Sequence, residues 1–267
     1  MTIQLLGTGA ADGVPPLFTP NRLGSRSFGP DSKDYRTRAS ALIDDCIKID
    51  LGPDTLAQNQ RFQIDPNLWE AIVFTHSHED HFTVSEIQYA LYPFNMNEYT
   101  PFTVYSNSTV KRLIELRYPD WPLDLVETKL YETITICGYQ MTPVRAKHAE
   151  PEECQNLVFE KDGKVFGYMT DTGIWPEITW DYISGVKFDA MVIECTDGLC
   201  DSGYDGHLAL WELEGVLERL HKQGSISKGV PIFTTHHSHL GGSHEELVEA
   251  MKPLGAAPGY DGLKIIL

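Results

Sequence analysis

Residues 74–82 read Phe-Thr-His-Ser-His-Glu-Asp-His-Phe, placing His76, His78, Asp80 and His81 directly behind the apolar run Glu70–Phe74. Alternate residues leaving a strand point the same way, so the imidazoles of His76 and His78 can share one cation. The turn that follows presents Asp80 and His81 toward a second cation. Imidazole and carboxylate together suit zinc, manganese or iron. A single histidine is usually a packed or surface residue, but four ligand-type side chains within six positions behind a buried strand point to metal chemistry. A second concentration lies at Thr234–Gly242, where His236, His237 and His239 follow another apolar run. Three imidazoles so close cannot all reach one ion from a regular strand, because neighbours face opposite sides. Spacing alone leaves open which of them binds.

These side chains need a frame that brings distant segments together. Short apolar runs recur along the chain, each ending in polar or glycine-rich sequence. Thr2–Gly9 reads as a strand and turn, and Ser40–Asp54 as a hairpin around Asp44 and Asp45. Glu70–Phe74, Phe166–Thr170, Asp189–Thr196 and Val230–Thr235 each contain a continuous apolar run, as suits strands of a sheet covered on both faces. Leu210, Leu213, Leu217 and Leu220 form a helical stripe, and Ser243 with Glu246 a capping box ahead of Leu247, Met251 and Leu254. The polar candidates sit just past strand ends, and strand ends share one rim of an α/β sheet, where sites are built. With no internal repeat, low-complexity tract or linker, residues 1–267 are expected to form one domain.

Bulk properties narrow the function classes. The hydrophobic fraction of 42% and charged fraction of 22% are ordinary for a globular protein. The net charge is −17 without a basic run, which argues against a nucleic-acid partner. An anionic substrate would need local positive charge, such as bound metal. Cys46, Cys137, Cys154, Cys195 and Cys200 are scattered without a Cys-x-x-Cys pair, so free thiols in a reducing cytosol are expected rather than a disulfide framework or a cysteine zinc site. The N-terminus lacks a basic signal region, and no run approaches the about 20 apolar residues of a membrane span. The chain is therefore expected to be cytoplasmic, with no membrane partner.

His-x-His-x-Asp-His behind an apolar strand resembles the metallo-β-lactamase superfamily. The resemblance implies an α/β fold, a four-layer αββα sandwich with two divalent metal ions at the rim between its sheets. It implies three further ligands in order downstream: His148 in Pro143–Glu150, Asp171 in Tyr168–Gly173 as the bridge, and His236 completing the second site. The implied metal set is His76, His78, Asp80, His81, His148, Asp171 and His236, holding zinc or manganese, with iron open. Leu5–Phe18, Tyr35–Asp45, Ile49–Thr55, Gly206–Leu220 and His244–Ile265 together resemble the phosphodiesterase branch. More specifically, they are similar to phosphoribosyl 1,2-cyclic phosphate phosphodiesterases associated with carbon–phosphorus lyase pathways. One departure stands out: members of that branch often carry a cysteine cluster here, but Leu17–Arg38 contains no cysteine, so no separate structural zinc is expected.

The implied activity is hydrolysis of a small cyclic or diester phosphate. Two cations a few ångströms apart lower the pKa of a water between them from about 16 toward 7, and the resulting bridging hydroxide attacks phosphorus. No Gly-x-Ser-x-Gly or Ser/His/Asp pattern calls for a covalent nucleophile. His207, in a Gly-His-Leu context, is the candidate general acid or phosphate contact, and Asp80 could also move a proton. Asp50 is expected to orient a ligand histidine, and His239 to stand beside the substrate or behind a ligand. Arg36 and Arg38 are candidate phosphate contacts, with a solvated or ion-paired role equally open, and His221 and His244 are expected at the surface. Two other functions share the same core: a metal-dependent lactone or thioester hydrolase, and a non-catalytic accessory binding protein. The expected partner is a small phosphorylated substrate, with a homodimer left open.

Overall fold

The computed structural model describes residues 1–29, 31–96 and 100–267. Six short strands, β1 (Thr2–Gly7), β2 (Ser40–Ile43), β3 (Ile47–Ile49), β4 (Ala71–Val73), β5 (Thr103–Ser106) and β6 (Asp124–Glu127), build a first sheet in chain order. Seven more build a second: β7 (Ile134–Ile136), β8 (Tyr139–Arg145), β9 (Gln155–Lys161), β10 (Lys164–Met169), β11 (Ala190–Glu194), β12 (Ile232–Thr235) and β13 (Ala257–Pro258). The last strand, β14 (Lys264–Ile266), returns to pair antiparallel with β1. The two sheets share one pattern that the sequence does not disclose as a repeat. In the first, β14 to β3 pair antiparallel and β3 to β6 parallel. In the second, β7 to β10 pair antiparallel and β10 to β13 parallel.

Period-two alternation sorts the strand residues into layers. Ala71 and Val73 of β4 meet Phe166 and Tyr168 of β10 and Ala190 and Val192 of β11 between the sheets. Ile72 turns outward to Val110 and Ile114 of α2 (Ser108–Arg117), with α1 (Thr55–Phe62) earlier in the chain on the same sheet. Met191 and Ile193 turn the other way, onto α3 (Glu177–Ser184), α4 (Leu210–Gln223) and α5 (His244–Met251). The result is four layers, αββα, and strands buried on both faces explain why the runs read as continuously apolar. Leu213, Leu217 and Leu220 of α4 are buried as the stripe predicts, and Ser243 accepts from the amide of Glu246 while that side chain reaches back to Ser243. No helix among the described residues is long and apolar enough to cross a membrane.

Two expectations are corrected. His244 is buried, with its Nδ1 3.3 Å from Arg36 Nη2, because the first turn of α5 packs against the N-terminal segment. Arg36 is buried too and donates to Thr8 Oγ1 and Gly259 O, so it secures the C-terminal segment instead of meeting a phosphate.

Lys48 is fully buried in β3, its ammonium donating to the carbonyls of Ile49 and Asp50. Burial pushes its pKa from 10.5 down to about 7. Between those values the unfolded chain keeps a proton that the folded chain has lost, so this group makes stability rise with pH. Lys48→Met should therefore be the more stable protein at pH 6. The stability of wild type should gain on it by roughly 2–3 kcal/mol between pH 7 and 9. Urea unfolding of both proteins across that range measures the gap, and a constant gap would refute the assignment.

Candidate metal centre

Strands of both sheets end on one rim, and the candidate residues follow those ends. Asp50 follows β3, His76 and its neighbours follow β4, His148 follows β8, Asp171 follows β10 and His236 follows β12. Three of them, Asp50, Asp171 and His236, hold left-handed backbone with φ of 58°, 48° and 57°. Such conformations are uncommon outside glycine and concentrate where a side chain must be aimed. Two glycines let the loops close. A Cβ on Gly52 would stand 2.1 Å from the carbonyl oxygen of Asp80, and one on Gly173 would stand 1.9 Å from that of Asp205.

The ligand-type atoms gather into groups whose members lie within 4.8 Å of one another. One holds His76, His78 and His148, and a second holds Asp80, His81, Asp171 and His236. His78 Nδ1 is 3.0 Å from His148 Nε2. His81 Nε2 lies 3.1 Å from Asp80 Oδ2 and 3.0 Å from Asp171 Oδ2, while His236 Nε2 lies 3.3 Å from Asp80 Oδ2 and 3.2 Å from Asp171 Oδ1. A tetrahedral zinc with bonds of about 2.0–2.1 Å separates its ligands by about 3.4 Å, so these spacings suit the edges of such a polyhedron. Asp171 Oδ1 also stands 3.7 Å from His148 Nε2, which puts the carboxylate between the two groups. The Nε2 atom of His76 is buried without a hydrogen-bond partner, and that of His81 faces only the carboxylates of Asp80 and Asp171, as suits nitrogens reserved for a cation.

The far nitrogens are held from behind, which fixes each ring and its tautomer. His76 Nδ1 meets Thr75 Oγ1 at 3.0 Å, His81 Nδ1 meets Asp50 Oδ2 at 2.7 Å, His148 Nδ1 donates to Gly206 O at 3.1 Å and His236 Nδ1 meets Thr196 Oγ1 at 2.9 Å. Asp50 further accepts from the amide and hydroxyl of Thr75, so one buried carboxylate braces both His76 and His81. Charge follows the same plan. Burial alone would raise the Asp171 carboxyl, but His236 and His81 hold it well below the usual range. Burial, with His81 beside it, keeps His76 neutral and therefore able to donate a lone pair. His81 is the exception: burial opposes its charging, yet Asp171, Asp80 and Asp50 raise its pKa well above the ordinary value. Such a field attracts positive charge, and the donor set fits divalent metal.

His207 joins this rim, grouped with His148 and Asp171. Its Nδ1 meets Glu194 Oε1 at 2.7 Å, and although burial opposes protonation, Glu194 raises its pKa to about 9. Glu194 itself was missed by sequence reasoning. It is wholly buried at the end of β11 and accepts from the amides of Thr172, Thr196 and Leu208. The available signal was a lone carboxylate closing an apolar strand, since buried charges are rarely left without a task. His239 lies outside these groups, its Nδ1 2.7 Å from Asp12 Oδ2. His237 packs inward with Nε2 3.1 Å from Thr234 Oγ1. Arg38 pairs with Asp54 at 3.2 Å and lines a cleft of about 470 Å³ that opens beside Asp80.

Residues 46–257 match the family model described as Beta-lactamase superfamily domain. Among solved structures, a diphosphatase from the PhnP family is similar at 23% identity with a TM-score of 0.78, over 100% of this chain and 97% of that one. Zn(2+)-bound PqqB from Methylobacterium extorquens is similar at 18% identity with a TM-score of 0.73, over 100% of both chains. Unliganded yeast PDE1 is similar at 15% identity with a TM-score of 0.66, over 100% of this chain and 99% of that one. At these identities the likeness is one of fold. A search of curated protein sequences found no match.

Proposed function

The chain belongs to the β-lactamase superfamily, and on that premise we propose that it is a hydrolase of two divalent metal ions, cleaving a small cyclic or diester phosphate. The observation that carries the reading is the position of Asp171 between an all-histidine group and a mixed histidine–carboxylate group. His76, His78 and His148 would hold one ion, Asp80, His81 and His236 the other, with Asp171 shared. Zinc or manganese bound there supplies an activated water and a Lewis-acidic surface for phosphate oxygens. The remaining work falls to the chain's own side chains. His207, charged through Glu194, stands ready to hold a phosphate oxygen or to give its proton to the leaving alkoxide. Asp50, Thr75 and Thr196 keep the ligand rings from rotating. The structurally similar protein of the PhnP family is a diphosphatase, an enzyme acting at phosphorus, which supports phosphate as the substrate class. A net charge of −17 favours a small molecule over a nucleic acid.

The test is substrate profiling of metal-analysed protein. About two metal ions per chain with hydrolysis of bis(p-nitrophenyl) phosphate and of a ribose cyclic phosphate are expected. Hydrolysis of acyl-homoserine lactones or glutathione thioesters, with phosphodiesters untouched, would replace the reading with a carbonyl hydrolase. Treatment with a chelator should abolish hydrolysis and lower Tm by several degrees, because the carboxylates of Asp80 and Asp171 and the buried nitrogens lose their shared counter-charge. Added zinc or manganese should restore both. An unchanged Tm and rate after verified metal removal would count against a metal role altogether.

A further inference from the structure

Cys46 and Cys137 lie 91 residues apart in sequence, in turns belonging to different sheets. Cys46 closes the turn between β2 and β3, and Cys137, with φ of 51°, opens the turn into β8. The two turns are clasped. The hydroxyl of Tyr139 donates to the Asp44 carboxylate, and Lys161 Nζ stands 3.7 Å from the same carboxylate and 4.4 Å above the Tyr139 ring. Both cysteines pack against the apolar layer between the sheets while staying partly exposed. The clasp brings the two side chains close enough for each thiol to shift the other's proton affinity, while Cys46 Sγ also donates to Ile43 O at 3.6 Å. The other thiols are engaged elsewhere: Cys154 with Ala149 O at 3.8 Å and Cys200 with Leu240 O at 3.0 Å, while Cys195 is buried.

We propose that Cys46 and Cys137 are an oxidation site, at which a peroxide-class oxidant converts two facing thiols into a disulfide stapling the two sheets together. Burial raises both thiols, but at Cys46 the neighbouring Cys137 offsets part of the rise, which makes Cys46 the first nucleophile. Attack on hydrogen peroxide breaks the O–O bond, gives a sulfenic acid at Cys46 and releases hydroxide. The Cys137 sulfur then attacks the Cys46 sulfur, the S–S bond forms, and the sulfenic oxygen leaves as water. In total two thiols lose two electrons and two protons, and the peroxide becomes two waters. Burial keeps both thiols protonated at neutral pH, with Cys137 pushed up to about 12, so the pair survives brief exposure and converts under sustained oxidant. The staple would lie at the far end of the sheets from the metal centre, because β3 and β8 run from these turns to Asp50 and His148.

The experiment holds the full chain with a small excess of hydrogen peroxide, quenches, unfolds and counts thiols. The five thiols should fall to three, two having paired, and a peptide linking Cys46 to Cys137 should appear, lighter by two hydrogen atoms than its separate parts. Closure of so long a loop should raise Tm by roughly 5–10 °C, reversibly with dithiothreitol. Cys46→Ser and Cys137→Ser should each show neither the linked peptide nor the reversible rise. Five thiols after treatment, a dimer linked through Cys200, or sulfinic acid at Cys46 without the linked peptide would each overturn the assignment.

Discussion

Asp171→Ala is expected to lower the metal content from about two ions per chain toward none, and hydrolysis of bis(p-nitrophenyl) phosphate by at least ~10³-fold. The reasoning is geometric. One oxygen of Asp171 stands 3.0 Å from His81 Nε2, and the other 3.2 Å from His236 Nε2 and 3.7 Å from His148 Nε2. Its removal leaves the imidazoles of both groups without a shared anion, so like-charged cations would face each other unscreened. Asp171→Asn keeps the shape and deletes the charge, and it should fail almost as badly. Elemental analysis and initial rates on the same samples decide the matter. A variant holding two ions with the wild-type rate would sink the shared-carboxylate reading.

His236→Ala and His237→Ala should separate cleanly, although the residues are neighbours. His236→Ala should lose mainly the ion held with Asp80 and His81 and cost roughly 10²–10³-fold in rate, because its Nε2 faces Asp80 and Asp171. His237 points into the protein, where its Nε2 meets Thr234 Oγ1 and its backbone amide donates to Thr8 O at 2.8 Å. Burial, with Arg36 nearby, holds the ring neutral. His237→Ala should leave metal content and rate close to wild type while costing about 2–3 kcal/mol in unfolding free energy, from a cavity and an orphaned hydroxyl. Metal content, rate and urea unfolding on both variants distinguish the roles. Equal metal loss from the two would mean that alternation along the chain does not decide which ring binds.

Much of this centre was legible before any coordinates. His76, His78, Asp80 and His81 declare themselves because they are a dense set of ligand types behind an apolar run, and the stripe of α4 and the capping box of α5 are local rules obeyed locally. Asp50 was readable as a supporting residue only through the resemblance, and its grip on both Thr75 and His81 is a product of folding. Glu194 was illegible as a partner of His207, since a carboxylate closing a strand does not say which histidine thirteen residues later will turn back to meet it. Arg36 and His244 misled for the same reason: polar side chains read as exposed until a distant segment covers them.

The sequence by itself determined the donor types, their order, several of the strands that carry them and two of the helices that cover the second sheet, because these follow from composition and periodicity over a few residues. Only the tertiary structure decided which donors meet. The two sheets bring residues 76, 148, 171 and 236 to one rim, left-handed backbone aims Asp50, Asp171 and His236, and Gly52 and Gly173 admit the loops that complete the ring. Each of these depends on contacts between segments far apart in the chain, where close packing rather than local propensity sets the position of a side chain.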